Sequence, residues 1–249
     1  MIYIKSPEEI ELMRPACRAV AVTLRKLRTV VKPGISTLDL DRFALDCLKE
    51  MNAKPAFLNY NGYPATLCVS VNEEIVHGIP SAKRILKDGD IVSMDMGAII
   101  NGFYGDAAIT VPVGTISGGA AKLIEVTERS LEIGLSKVKA GARLGDVSSA
   151  IGSYAEAHGM GVIEEFTGHG VGRRLHEDPS IPNYGYPGTG PMLKAGMTLA
   201  IEPMLSLGDP DLIILKDGWT AITEDGSYAA HFEHTVAVTE DGCEILTME

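Results

Sequence analysis

From Pro7 onward, apolar side chains at Leu12, Val20, Leu24 and Leu27 recur at helical spacing. Ser6-Pro7-Glu8-Glu9 ahead of them reads as a capping box with proline at the first helical position. Pro15 falls inside this helix and predicts a kink, because it removes a backbone donor. A second helix is predicted from Ser36 to Met51, with Leu40, Phe43, Ala44, Cys47, Leu48 and Met51 on one stripe. The pattern then shortens to strand-like runs: "LCVSV", "DIVSMDMGAII" and "AAITVPV". Asn101-Gly102 separates the last two and signals a two-residue type I′ hairpin turn.

The plan then repeats. "VKPGISTLDLDRFALDCLKEMNA" from Val31 aligns with "VKAGARLGDVSSAIGSYAEAHGM" from Val138 at an offset of 107 residues. The same offset lays "LKDGDIVSMD" on "LKAGMTLAIE" and places Asp95 on Glu202. Two similar halves are expected, roughly 6–113 and 120–246, joined through the glycine-rich "VGTISGGA" at 113–120. Helices on one face of a largely antiparallel sheet give an α+β domain, with a site between the halves. The whole of 1–249 reads as one domain.

Composition narrows the partners. A formal charge of −11 argues against nucleic acid or an anionic membrane. Four cysteines without a C-x-x-C pair suit free thiols in a reducing compartment. "MIYIKSPEEIEL" places glutamates where a signal peptide needs an apolar run, and no window holds 18 apolar residues. Cytoplasm is the expectation.

The candidate chemistry lies in acids where acids do not belong. Asp95 interrupts the apolar "IVSMDMGAII", against β propensity and against the cost of burying a carboxylate. A hydrogen-bonded core aspartate is one explanation; a metal ligand is the other. If the hairpin closes at Asn101-Gly102, Asp106 lies opposite Gly97, which shares a face with Asp95. The two acids are then diagonal neighbours about 7–8 Å apart at the backbone, and a cation between them offsets their repulsion. "TLAIEPMLSL" repeats the oddity with Glu202, read as lying within a strand. "YAAHFEHTVAV" does so with Glu233, on a face shared with His231 and Thr235 and opposite His234. Four carboxylates balance two divalent ions, and hard oxygens with one imidazole suit manganese, iron, cobalt, zinc or magnesium.

"GHGVGRRLHEDP" admits two readings, a phosphate cradle or a metal centre. A phosphate loop needs a helix directly behind its glycines, and Pro179 and Pro182 discourage one. The glycines are instead expected to let the backbone pass close to a metal, with His169 a ligand and His176 outside the ligand set. On pattern alone, His77 is an ordinary loop residue and His158 lies on a helix surface.

Together, "SVNEEIVHGIP", "GDIVSMDMG" with "GFYGD", "GHGVGRRLHEDP", "AIEPML" and "HFEHTVAVT" resemble, in order and spacing, the type I methionine aminopeptidases. The resemblance runs from about Ser6 to Leu246. It implies the pita-bread fold and removal of N-terminal methionine from peptides and nascent proteins by a metal-activated water, with a small second residue preferred. It implies Asp95 on one metal, Asp106 and Glu233 bridging both, and His169 and Glu202 completing the other. His77, His176 and Glu202 take the catalytic roles. Tyr60, Tyr63, Cys68, His77, His176 and Trp219 contact the substrate. Two divalent ions (Mn, Fe, Co or Zn) follow from the same likeness, and a monomer is the expectation. The chain departs from the family at Phe57 and Leu175 in the pocket, at Ala107 beside Asp106, and at His231, where a glutamine is expected. Two other readings remain: an X-Pro-cleaving relative, which should carry an extra N-terminal domain, and a non-catalytic module, which should have lost ligands. The 30 residues between Glu202 and Glu233 leave no room for the helical insertion of type II enzymes.

Overall fold

In the computed structural model, which describes residues 1–248, the first helix starts where its cap predicts. Ser6 Oγ accepts from the Glu9 N–H, and the Glu9 carboxylate accepts from the Ser6 N–H, opening α1 (Pro7–Val30). The helix passes through Pro15 without interruption. Its buried stripe is Met13, Ala16, Cys17, Val20, Leu24 and Leu27. Leu12, expected on that stripe, is 44% exposed, because the face turned to the sheet is set by Met13 and Cys17. Ser36 caps α2 (Thr37–Glu50) through Asp39 in the same way. In the second half α3 (Gly118–Leu135) begins inside the stretch read as a glycine-rich join, because Ser117 Oγ captures the Ala120 N–H. Helix α4 (Leu144–Ala157) has the same length as α2, 14 residues, and lies 107 positions later.

The strands are short. The first half carries β1 (Lys54–Pro55), β2 (Cys68–Val71), β3 (Glu74–Val76), β4 (Ile91–Ile100) and β5 (Phe103–Pro112). A second set follows: β6 (Gly161–Val162), β7 (Gly168–Gly170), β8 (Glu177–Ile181), β9 (Thr198–Ile201) and β10 (Met204–Ser206). The last five are β11 (Leu212–Ile214), β12 (Ala221–Thr223), β13 (Ala229–His231), β14 (Glu233–Val238) and β15 (Cys243–Ile245). Nine of them form a curled sheet in the order β1-β4-β5-β14-β9-β7-β8, with β2 added on β4 and β15 on β14. Two three-stranded sheets, β13-β10-β6 and β11-β12-β3, complete the α+β pita-bread architecture. Every pair is antiparallel. Among the described residues no helix is long and apolar enough to cross a membrane.

The β4–β5 hairpin sets the frame of the site. Asn101 (φ 55°) and Gly102 (φ 77°) both take the left-handed conformation a type I′ turn demands. The register that follows puts Gly97 opposite Asp106 and Asp95 opposite Ala108. Side chains alternate between faces, so Met94, Met96 and Ala107 pack into the core with α1 and α2, while Asp95 and Asp106 turn away from it. Each fully buried Met or Leu there contributes about 1.5–3 kcal/mol. Gly105, beside Asp106, lies directly against α1: a Cβ there would meet Cys17 N at 2.5 Å.

Of the other two acids, Glu233 opens a strand as the pattern suggested, while Glu202 lies just outside one. Glu202 follows the end of β9, and Pro203 has no N–H to extend the ladder. The chain resumes as β10 in a different sheet. Phe232 makes the matching break between β13 and β14, with Glu233 the first residue after it. Both glutamates therefore stand where the chain crosses between sheets.

Candidate metal centre

Registration carries one row of side chains across three strand pairs: Cys68 opposite Asp95, Asp95 opposite Ala108, and Ala108 opposite Glu233. The small Ala108 leaves the space between the two acids open. Asp106 is held beside this row by Thr235, whose Oγ1 accepts from the Asp106 N–H at 3.1 Å and donates to the Asp106 carbonyl at 2.7 Å. His169 arrives from β7, paired with Ala200 of β9. Carboxylate oxygens of Asp106 and Glu233 and a ring nitrogen of His169 lie within 4.8 Å of one another. His169 Nε2 is 3.7 Å from Asp106 Oδ2 and 3.7 Å from Glu202 Oε1. The five residues singled out as ligands are thus brought together.

The His169 Nδ1 lies 2.9 Å from the Gly170 carbonyl, an acceptor only, so Nδ1 donates and Nε2 presents a lone pair to the acids. Burial, helped by neighbouring His176, lowers its pKa to about 3, so the ring is neutral. The acids move the other way. Burial raises Asp95 to about 7 and Glu202 to about 8. Asp106 and Glu233 stand well above the carboxylate range, through burial first and the negative charges of the other acids second. Asp95 Oδ1, Asp106 Oδ1 and Glu233 Oε1 are buried without a hydrogen-bond partner. Unpaired buried carboxylate oxygens are costly. The donor set fits divalent cations: hard oxygens that need positive charge, and a neutral imidazole aimed at them.

The glycines of "GHGVG" do not serve a ligand directly. A Cβ on Gly168 would lie 2.4 Å from the Ala200 carbonyl oxygen, and one on Gly170 would lie 2.2 Å from that of Asp178. They let β7 pack between β8 and β9, which delivers His169. No helix follows them, and the chain enters β8 instead.

A cavity of about 250 Å³ opens onto the acids. Tyr60, Tyr63, Cys68, His77, His176 and Trp219, all singled out from the sequence, line it together with Phe57 and Leu175. Tyr63 meets Trp219 edge-on at 5.1 Å. His77, an ordinary loop residue on pattern alone, is a wall of this cavity. It sits in the left-handed region (φ 61°) with its ring edge-on to Phe166 at 5.2 Å. Gly78 beside it packs on Val69 too closely for any Cβ, at 2.2 Å from the carbonyl oxygen. Burial holds His77 down at about 4 and also lowers His176. The His176 Nδ1 is 2.7 Å from Tyr60 Oη, and its ring lies 4.3 Å from that of His169.

Some neighbours carry no sequence signal. Phe166 lines the cavity without belonging to any recognisable motif, and Met204 lines it from within "AIEPML" without having been singled out. His231 lies behind the acids, buried, with Nε2 at 3.2 Å from Glu202 Oε2. His234 faces the other way, toward Thr247 at 2.9 Å, and His158 caps the exposed end of α4.

The model of metallopeptidase family M24 matches residues 11–240. Methionine aminopeptidase of Clostridium acetobutylicum is 52% identical over 248 residues, covering 100% of this chain and 99% of that one. Methionine aminopeptidase 1 of Bacillus subtilis is 53% identical over 247 residues and covers 99% of each. The crystal structure of methionine aminopeptidase from Thermotoga maritima superposes with a TM-score of 0.99 at 53% identity over the whole of both chains. With its donor cluster and these likenesses, the chain belongs to metallopeptidase family M24, among the methionine aminopeptidases.

Proposed function

We propose that the protein hydrolyses the first peptide bond of peptides and nascent proteins that begin with methionine, preferring a small second residue. The observation that carries this reading is the cluster of five donors at the floor of an apolar, aromatic-walled cavity. Asp95 would hold one ion, Asp106 and Glu233 would bridge two, and His169 and Glu202 would complete the second. Two ions suit the site because one divalent charge would leave two of four buried carboxylates uncompensated. Manganese, iron, cobalt and zinc all suit these ligands. When bound, such ions supply Lewis-acid polarisation of a carbonyl and a water acidic enough to ionise near neutral pH.

The chain's own groups do the rest. Tyr63, Cys68 and Trp219, with Tyr60, receive the methionine side chain among soft, apolar walls. With Tyr60 donating to Nδ1, His176 carries its proton on Nε2 and donates to the scissile carbonyl oxygen as negative charge develops there. His77, neutral through burial, contacts the amide of the cleaved bond. Glu202 passes the proton of the attacking water to the leaving nitrogen.

The same reading treats residues 1–249 as one catalytic domain of two similar halves, roughly 6–113 and 120–246, acting as a monomer in the cytoplasm. The matching α2 and α4 support the duplication, and four free thiols support a reducing compartment. A net charge of −11 disfavours nucleic acid or a membrane as partner.

Metal-stripped protein offered Met-Ala-Ser, Met-Leu-Ser and Ala-Pro-Ser, with and without manganese, cobalt, iron or zinc, tests the proposal. Free methionine from Met-Ala-Ser alone, and only with metal, is expected. Cleavage of Ala-Pro-Ser instead would keep the metal chemistry and overturn the pocket assignment. Failure on all three peptides with manganese, cobalt, iron and zinc in turn would overturn the activity.

A further inference from the structure

Lys5 and Glu177 form an ion pair that the chemistry above does not use. Both are buried, with side chains 5% and 2% exposed. Lys5 Nζ donates to Glu177 Oε2, while Glu177 Oε1 accepts from the Arg173 N–H at 2.8 Å and the Arg174 N–H at 3.1 Å. Those two donors belong to the turn "GRRLHE" from Gly172 to Glu177, which carries Leu175 of the cavity wall and His176. The start of the turn is fixed separately. Tyr104 N–H donates to the Gly172 carbonyl at 2.8 Å, and Gly172 N–H to the Arg174 carbonyl at 3.0 Å. The lysine stem packs directly on the turn, because a Cβ at Gly172 would lie 2.4 Å from Lys5 Cε. Lys5 is itself anchored elsewhere, its N–H donating to the Gly196 carbonyl at 2.8 Å.

Burying two charges returns little stability by itself, since desolvation offsets their attraction. What this pair secures is geometry. We propose that Lys5 and Glu177 are positioning residues for His176. Lys5 keeps Glu177 in place, Glu177 gathers two N–H groups of the turn, and the turn fixes the imidazole against Tyr60 at 2.7 Å. The inference rests on the reading in which His176 meets the scissile carbonyl. Neither Lys5 nor Glu177 is a proposed metal ligand.

The first variant is Lys5→Met, which keeps the stem and removes the charge. At temperatures where circular dichroism shows an intact fold, kcat on Met-Ala-Ser should fall roughly ten- to hundred-fold, the scale of a small misplacement of a reacting group. KM and manganese binding measured by calorimetry should not change. In metal-free protein, the ¹⁵N resonance of His176 Nδ1 should lose the signature of its hydrogen bond to Tyr60. A variant that loses only thermal stability, with kcat and the His176 resonance unchanged, overturns the proposal.

If Lys5→Met does not fold, two neutral double variants decide. Lys5→Met with Glu177→Gln keeps an acceptor for the two N–H groups and should hold kcat near wild type. Lys5→Met with Glu177→Leu removes that acceptor and should lose it. Equal kcat in the two overturns the proposal. Absence of methionine release by the wild-type protein would be a failure of the underlying activity, and the His176 resonance would still test the geometry.

Discussion

Glu202 combines two demands on one side chain. It sits at the end of β9 with an oxygen 3.7 Å from His169 Nε2, and burial lifts its carboxyl to about 8. A group placed there both neutralises cation charge and lies in range of proton transfer at neutral pH. Glu202→Ala is expected to lower kcat by roughly two to four orders of magnitude, the scale of a lost general acid–base group, with any lost metal adding to it. The far-ultraviolet circular dichroism spectrum should be unchanged, because the backbone at 202 is tied down by Asn183 Nδ2 donating to its carbonyl at 2.9 Å. Near-normal turnover in this variant would remove Glu202 from the mechanism. His231 is the less expected neighbour. Its Nε2 lies 3.2 Å from Glu202 Oε2, so the departure from glutamine is answered by contact with that acid. Beside Ala107, the Asp106 backbone is satisfied by Thr235.

At the scale of elements, the site is a product of strand alternation and strand breaks. The hairpin register places Asp95 and Asp106 on the face opposite α1, and this works only while α1 can lie flat on β5. Gly105 allows that contact: a Cβ would meet Cys17 N at 2.5 Å, Cys17 Cα at 2.6 Å and the Ala16 carbonyl carbon at 2.8 Å. These are backbone atoms and cannot rotate away. Gly105→Ala should therefore cost about 1–3 kcal/mol by overpacking, read as a lower urea midpoint of the metal-free protein. Gly118→Ala provides the contrast. It lies in the first turn of α3 with nothing within 4 Å of its Cβ, and should stabilise by about 0.4–1 kcal/mol. Equal effects of the two substitutions would show that the helix does not bear on the hairpin. The other breaks matter as much. Pro203 and Phe232 divert the chain between sheets, and each diversion leaves a glutamate at the centre.

For the whole molecule, the acid cluster makes stability depend on both pH and metal. Asp95 stands at about 7 and Glu202 at about 8, while Asp106 and Glu233 stand well above the ordinary range, all chiefly through burial. In the unfolded chain these groups return to about 4. Between those values the folded, metal-free protein binds more protons than the unfolded one, so its stability falls as pH rises from about 4 to 8. Cations relieve the penalty by taking the place of the protons. At a metal concentration a hundred times Kd, binding adds about 2.7 kcal/mol, or roughly 5–10 °C in Tm for a chain of this size. Thermal melts with and without manganese should show that gain at pH 8 and less than half of it at pH 5, at equal metal concentration. A manganese-induced shift independent of pH would mean that the carboxylates are already ionised and compensated in the metal-free fold.

What the amino-acid sequence determined by itself is what its local interactions determine. The caps at Ser6 and Ser36 join residues three apart, and the Asn101-Gly102 turn likewise joins Ile100 to Phe103, three apart, in a ladder that then propagates. From that ladder the diagonal placement of Asp95 and Asp106 on one face follows without any distant contact. The repeat offset was legible because α2 and α4 recur whole. Tertiary structure decided the rest. Glu202 and Glu233 lie at crossings between sheets, and nothing in an apolar run announces the crossing. The glycines around His169 answer the carbonyls of Ala200 and Asp178, which belong to neighbouring strands. His77 became a cavity wall only through Phe166, 89 positions away in sequence, and Trp219. Lys5 meets Glu177 across 172 positions. Contacts of that reach leave no period along the chain, because the partners share a location and not a spacing.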